Sequence, residues 1–465
     1  MTLFIGLLLT FCCGFFIINI ISTNFSLTEK IGLSFPIGMT VETIAMVFID
    51  LIGINFSVAS LLSIQSAILL GVCIPVIVKE RDNILKSIGK SIKYSLSGTN
   101  FVWLVFVLVI IYLEYMIFYK CIFYPTYDND GLSAFDTIGY VSAMEHTYKG
   151  LSLFDKNYII GIHSPGSIIT YAPFVQISYA YVYSLGAEMS KIIPALMYLS
   201  FLIAFYGITK RNTSKTAAAI ATFFIILTPD MTLFSSHSAT NVMHAAFASL
   251  GIIYVFSYIK NHEKKDLYIS GVLLGANMWC RSEGVVFIIA AFAVLFIYAL
   301  RRKEYRSYII FASISVFPAL FWFVFLKINN MYSENVVIAS IFWDAEKIKT
   351  IINGFFMLLR GMGYYGWTFV VFPIMIMANL WYMVKKKDSF VFLAMFFIAL
   401  FCYTLILYHI DYKWDSIDNV LSYSAKRFMY CFIPLAWYYS CTGYTAKVIF
   451  SKLDYLLSLT KKSQS

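Results

Sequence analysis

Fourteen apolar runs, most of them near the length of a bilayer-crossing helix, limit what this chain can fold into. They fall at about 3–22, 31–53, 56–78, 101–121, 168–186, 188–208, 216–228, 242–259, 269–280, 284–300, 308–327, 364–384, 389–409 and 428–447. A spanning helix needs about 20 apolar residues, fewer where neighbours support it. No soluble core can hide this many runs in 465 residues that are 60% hydrophobic and only 13% charged. Soluble domains carry about twice that share of charge. The expected fold class is all-α: a polytopic transmembrane helical bundle of about 11–13 spans with a helical outer loop after an early span. The runs at 216–228 and 269–280 are short for independent spans.

The net charge of +10 does not point to nucleic acid, because the cations gather in short loops between apolar runs. Lys79, Arg81, Lys86, Lys90 and Lys93 mark one such loop. Lys210, Arg211 and Lys215 mark a second, Lys260, Lys264 and Lys265 a third, Arg301, Arg302 and Arg306 a fourth, and Lys385–Lys387 a fifth. Cytoplasmic loops carry such an excess. The segments 122–167, 229–241, 328–355 and 410–427 then lie outside. Parity fails only between 167 and 210, so 168–186 is expected to be interfacial or re-entrant. The first run lacks a basic flank and a small-x-small cleavage site, and reads as a retained span. The eight cysteines show no CxxC pair or metal-ligand spacing and read as small apolar residues. The expected division is N-terminal transmembrane helices over 1–100, a catalytic membrane domain over 101–447 and a cytoplasmic tail over 448–465.

Polar groups at the outer membrane face carry the functional information, since such groups are costly at membrane depth. The loop after the fourth run contains Asp128, Asn129, Asp130, Gly131 and Asp136, then Glu145-His146 and His163-Ser164-Pro165-Gly166. A carboxylate there can act as general base, and Asp128 with Asp130 can offer oxygen ligands to a divalent metal. The same residues also fit a solvated loop with an Asx turn. Thr228-Pro229-Asp230 precedes Ser235-Ser236-His237 and Asn241, which also fit a helix start. Arg281-Ser282-Glu283-Gly284 places a charged pair between two short apolar runs, either as a structural ion pair or facing a lipid phosphate. Ser424-Ala425-Lys426-Arg427 sets two cations on the outer side, against the charge trend, which adds weight to a phosphate-facing role.

In this order, these features resemble the polyprenyl-phosphate-dependent membrane glycosyltransferases of the GT-C fold. The closest type is the bacterial set related to protein mannosyltransferases (glycosyltransferase family 39) and to the aminoarabinose transferase of lipid A. Asp136, Tyr140 and Gly150 match an outer-loop spacing of that group. His163-Ser164-Pro165 through Gly186, the Thr228-Pro229 turn, and the run from Gly271 through Gly275 and Arg281 to Gly284 follow. A second subgroup pattern matches Asp130-Gly131-Leu132-Ser133-Ala134-Phe135, Arg281-Ser282-Glu283-Gly284 and Ser424-Ala425-Lys426-Arg427. The resemblance covers about 101–445. Two departures stand: Asn241 sits near where the family often has Asp, and Arg281 replaces a Lys.

The resemblance implies a glycosyltransferase of the cell envelope, acting on the outer face of a bacterial cytoplasmic membrane. A sugar on a polyprenyl-phosphate carrier would pass, with inversion, to a lipid-linked glycan, lipid or protein acceptor. Asp130 or Asp136 would be the base. Asp128, His163, Asn241, Arg281, Glu283 and Arg427 would bind substrate, with Arg281 and Arg427 on the carrier phosphate. No cofactor is required, and a divalent metal is compatible. The alternatives are an O-antigen-type polymerase and a glycan flippase or transporter, for which Glu42, Asp50 and the break at 281–284 are candidate features.

Overall fold

The computed structural model of the chain describes residues 1–96, 100–154, 170–331, 338–339, 343–386, 389–411 and 416–462. Helices dominate. The N-terminal third contains α1 (Thr2–Ile21), α2 (Leu27–Leu51), α3 (Val58–Leu96), α4 (Phe101–Phe123) and α5 (Asp136–Glu145). The centre holds α6 (Phe174–Ser184), α7 (Ile192–Asn212), α8 (Lys215–Ile226), α9 (Pro229–Phe234), α10 (Asn241–Asn261), α11 (Lys264–Cys280), α12 (Val285–Arg302) and α13 (Tyr305–Ile328). The last part holds α14 (Ala345–Leu359), α15 (Met362–Tyr365), α16 (Thr368–Lys386), α17 (Phe390–His409), α18 (Ile417–Val420), α19 (Lys426–Phe428), α20 (Phe432–Thr442) and α21 (Tyr444–Lys462). Among the described residues, β structure is limited to Ile338–Ala339 paired antiparallel with Ile410–Asp411.

Ten helices among the described residues are long and apolar enough to cross a membrane: α1–α4, α7, α10, α12, α13, α16 and α17. The chain is an integral membrane protein with an all-α polytopic bundle. The remaining apolar runs are shortened or divided. Helix α6 has 11 residues. The run at 428–447 breaks at Gly443 into α20 and the start of α21. Helix α21 continues through most of the expected tail and packs on α16 and α20.

Helices α1–α3 share one hydrophobic core with the rest of the bundle. Glycines make this possible. A Cβ on Gly14 would lie 1.8 Å from the Ser34 carbonyl oxygen, and one on Gly38 would lie 1.9 Å from that of Thr10. Small residues let membrane helices approach backbone to backbone. Gly38→Ala is expected to push α1 off α2 and destabilise the protein by about 1–3 kcal/mol, read as a lowered melting temperature in detergent.

The bundle has two chemically different ends. At one, α2 begins with a capping box between Ser26 and Glu29. Arg211 pairs there with Glu29 at 3.4 Å and with Asp266 at 2.8 Å, and the Tyr254 hydroxyl donates to Glu29 at 3.0 Å. Lys210 and Lys265 reach the same turn, donating to Thr28 and to the Asn24 carbonyl. At the other end, Asp50 closes α2 by accepting from the Thr147 hydroxyl at 2.6 Å and the Lys149 backbone N–H at 2.9 Å. Asp50 thereby fixes the exit of the acidic loop, a structural role. The cationic loops and the acidic segment thus sit at opposite ends of the same helices.

Candidate active site

The acidic segment is held by its own backbone and by distant loops. Asp128 accepts from the Gly131 N–H at 2.8 Å and from the Ser238 N–H at 3.0 Å. Its first contact closes the local Asx turn; its second ties the segment to the loop after α9. Gly131 is needed where three segments converge: a Cβ there would meet Asp128, Thr126 and Ser238 within 2.9 Å. Buried Lys191 supports the approach, donating to the Tyr124 and Pro125 carbonyls at 2.9 and 3.2 Å. After Asp130 the backbone widens into a π-turn over Gly131–Phe135 before α5 begins. Such wide turns concentrate at functional sites.

The π-turn separates Asp130 from Asp136. Asp136 accepts the Thr126 hydroxyl at 2.6 Å and the Tyr183 hydroxyl at 2.8 Å, so it ties α5 to α6 and to the loop start. Asp130 instead pairs with Arg427, 297 residues away. Arg427 follows a second π-turn, Leu421–Ala425, and stands over the Phe234 ring. Its neighbour Lys426 pairs with Asp230 at 3.0 Å, and the Tyr430 hydroxyl donates to the same carboxylate at 2.7 Å. Asp230 therefore anchors α19 through Lys426.

Asp128, Asp130 and Arg427 line a cavity of about 570 Å³, together with His237, Asn419 and Ser424. The His237 ring nitrogen Nε2 meets the Tyr127 hydroxyl at 3.0 Å. Burial holds its imidazole below the usual histidine range; Lys120, Lys191 and Arg427 act the same way and Asp128 opposes them. A neutral imidazole can both donate and accept hydrogen bonds. Asp230 and His237 belong to this end of the molecule but look like helix-start residues in the sequence. Their out-of-place polarity beside apolar runs was the available signal.

Asn241, Arg281 and Glu283 form a second, inner group. Arg281 donates to the Asn241 amide oxygen and to the Glu283 carboxylate, both at 3.0 Å. Burial raises the Tyr171 hydroxyl, and Arg281, Glu283 and Asp130 all lie near enough to act on it. His163 lies outside the described residues.

A metal fits poorly. Both Asp128 oxygens are taken by backbone N–H groups, and Asp130 is paired with a guanidinium. Among the described residues, no group of three or more His, Cys, Asp or Glu could hold an ion.

Residues 173–326 match the family model of dolichyl-phosphate-mannose-protein mannosyltransferases. Over that third of its length the chain is similar to a family of membrane glycosyltransferases. The matched stretch of this glycosyltransferase-like chain contains Asp230, His237, Asn241, Arg281 and Glu283. Asp128, Asp130, Asp136 and Arg427 lie outside it. No curated protein and no solved structure matches the chain.

Proposed function

We propose that this membrane glycosyltransferase takes a sugar from a polyprenyl-phosphate carrier and transfers it to a hydroxyl of a lipid-linked glycan, lipid or protein. The observation that carries this reading is the Asp130–Arg427 pair in one cavity, at the end opposite the cationic loops. Asp130 takes the proton of the acceptor hydroxyl. The acceptor oxygen attacks the anomeric carbon, the bond from that carbon to the phosphate oxygen breaks, and its electron pair leaves with the phosphate. Arg427 stabilises the charge that grows there. Arg427 pairs with the Asp130 carboxylate. An arriving phosphate competes for the guanidinium and leaves the carboxylate free to accept a proton, so base and donor are linked through one side chain.

The working test is release of free polyprenyl phosphate from a polyprenyl-phosphate hexose or pentose by the purified chain with an acceptor. Carrier movement across a vesicle membrane without bond cleavage would instead favour a transporter.

Charge asymmetry supports an outer-facing site, and the reading places it in a bacterial cytoplasmic membrane. In a cysteine-free background, a cysteine at Tyr140 on α5 is expected to react with an impermeant maleimide added outside, and one at Lys264 is not. Both side chains are exposed. The reverse labelling would invert the assignment.

A further inference from the structure

The inner group is built differently from a phosphate clamp. Both terminal nitrogens of Arg281 are already engaged, one by Asn241 and one by Glu283, so its charge is compensated and its position fixed. Around it stand buried polar atoms with no hydrogen-bond partner among the described residues: Asn241 Nδ2, Arg281 Nε and both ring nitrogens of His244. Asn277 stands beside His244, where it can meet one ring nitrogen at most. Buried polar atoms are seldom left unpaired, and a cluster of them calls for an occupant. Glu283 keeps 27% of its side chain open although it sits at the junction of α11 and α12 within the bundle. Phe428, next in sequence to Arg427, lies over His244 with ring centroids 5.8 Å apart, so the inner group adjoins the cavity wall.

The chemistry selects the occupant. An anion would satisfy Asn241 and Arg281 but would be set beside the Glu283 carboxylate. A hydroxyl both donates and accepts, so it can meet Glu283 through its hydrogen and Asn241 or His244 through its lone pairs. Resting on the function proposed above, we infer that Asn241, His244 and Glu283, positioned by Arg281, form a subsite that reads the hydroxyls of the transferred sugar, while the carrier phosphate belongs to Arg427. Arg281 is then a positioning residue and not a phosphate ligand.

The test measures equilibrium binding to the purified full chain in lipid nanodiscs. The probes are bare undecaprenyl phosphate and the same carrier bearing neutral hexoses or pentoses. Wild type is expected to bind at least one glycosylated carrier more tightly than the bare one. Asn241→Asp keeps the oxygen that Arg281 uses but removes the amide donors. Glu283→Gln keeps an oxygen for Arg281 but halves the acceptors. Each should cut binding of the glycosylated carrier about 10-fold while bare-carrier binding holds; melting temperature should hold in Asn241→Asp and fall in Glu283→Gln, which removes the charge partner of a buried guanidinium. Asn241→Ser, which also retains an oxygen, replaces Asn241→Asp if the latter lowers the melting temperature. Arg427→Ala should weaken both probes alike. The subsite is overturned if Asn241→Asp and Glu283→Gln weaken the bare carrier as much as the glycosylated one, or if no sugar adds affinity in wild type. Failure of wild type to bind the bare carrier at all would sink the carrier reading itself, and the subsite with it.

Discussion

Asp130→Asn is expected to lower kcat about 10²- to 10⁴-fold, the range a positioned general base contributes. The substitution preserves size and removes only the basic oxygen, so melting temperature and membrane insertion should stay near wild type. Asp136→Asn provides the contrast. Asp136 holds the Thr126 and Tyr183 hydroxyls and does not line the cavity. Its loss should leave one half-buried hydroxyl without an acceptor and destabilise the fold by about 0.5–1.5 kcal/mol, with a much smaller change in kcat. Transfer rates and thermal melts on both variants check the pair. Near-normal turnover in Asp130→Asn would remove it as the base, and a rate collapse confined to Asp136→Asn would move that role six residues along.

The second large effect is expected at Arg427. If a phosphate leaves during the reaction, its charge is greatest in the transition state, and a contact made to that charge affects turnover more than ground-state binding. Arg427→Ala should reduce kcat about 10²- to 10³-fold, comparable with loss of one oxyanion donor. Arg427→Lys should recover part of that, since an ammonium supplies charge without the planar fork. The carrier KM should rise by a smaller factor. A pure structural role would show instead as equal losses in melting temperature for both variants and no rescue by Lys. Steady-state kinetics on polyprenyl-phosphate sugar with both variants settles which applies.

The bundle was legible because apolar length is a one-dimensional property: α1, α2, α4, α7, α10, α12, α13, α16 and α17 each follow an apolar run closely, and α3 follows one to Lys79 before continuing as helix through the cationic segment to Leu96. The short α6 was foreshadowed by charge parity. The site was legible in part. Arg427 drew notice because a cation on the outer side contradicts the charge trend, and Asp130 because carboxylates cluster there. Their pairing across 297 residues was not readable, since nothing local encodes a contact between two loops at that separation. Nor could spacing choose between Asp130 and Asp136. The choice depends on a π-turn, and Gly-Leu-Ser-Ala-Phe carries no pattern that distinguishes a π-turn from an ordinary helical one. Asp230 and His237 stand in a segment that reads equally as the approach to a helix capped by Thr240 or Asn241, so nothing in the sequence gives them a role of their own. Arg281 was open to two readings, and its engagement with Asn241 and Glu283 is tertiary information.

Each wall of the outer cavity carries one of these wide turns, Gly131–Phe135 beside Asp130 and Leu421–Ala425 before Arg427. A wide turn holds one residue more than an α-helical turn, and in a regular helix one residue corresponds to about 100° of rotation. The extra residue in 421–425 therefore acts as a phase adjustment. It rotates everything after it together, and in that setting Lys426 meets Asp230 and Arg427 meets Asp130. A register counted by helix period alone would slip by one position at each wall, so any comparison of these segments has to be anchored on the two ion pairs and not on the count of residues between them.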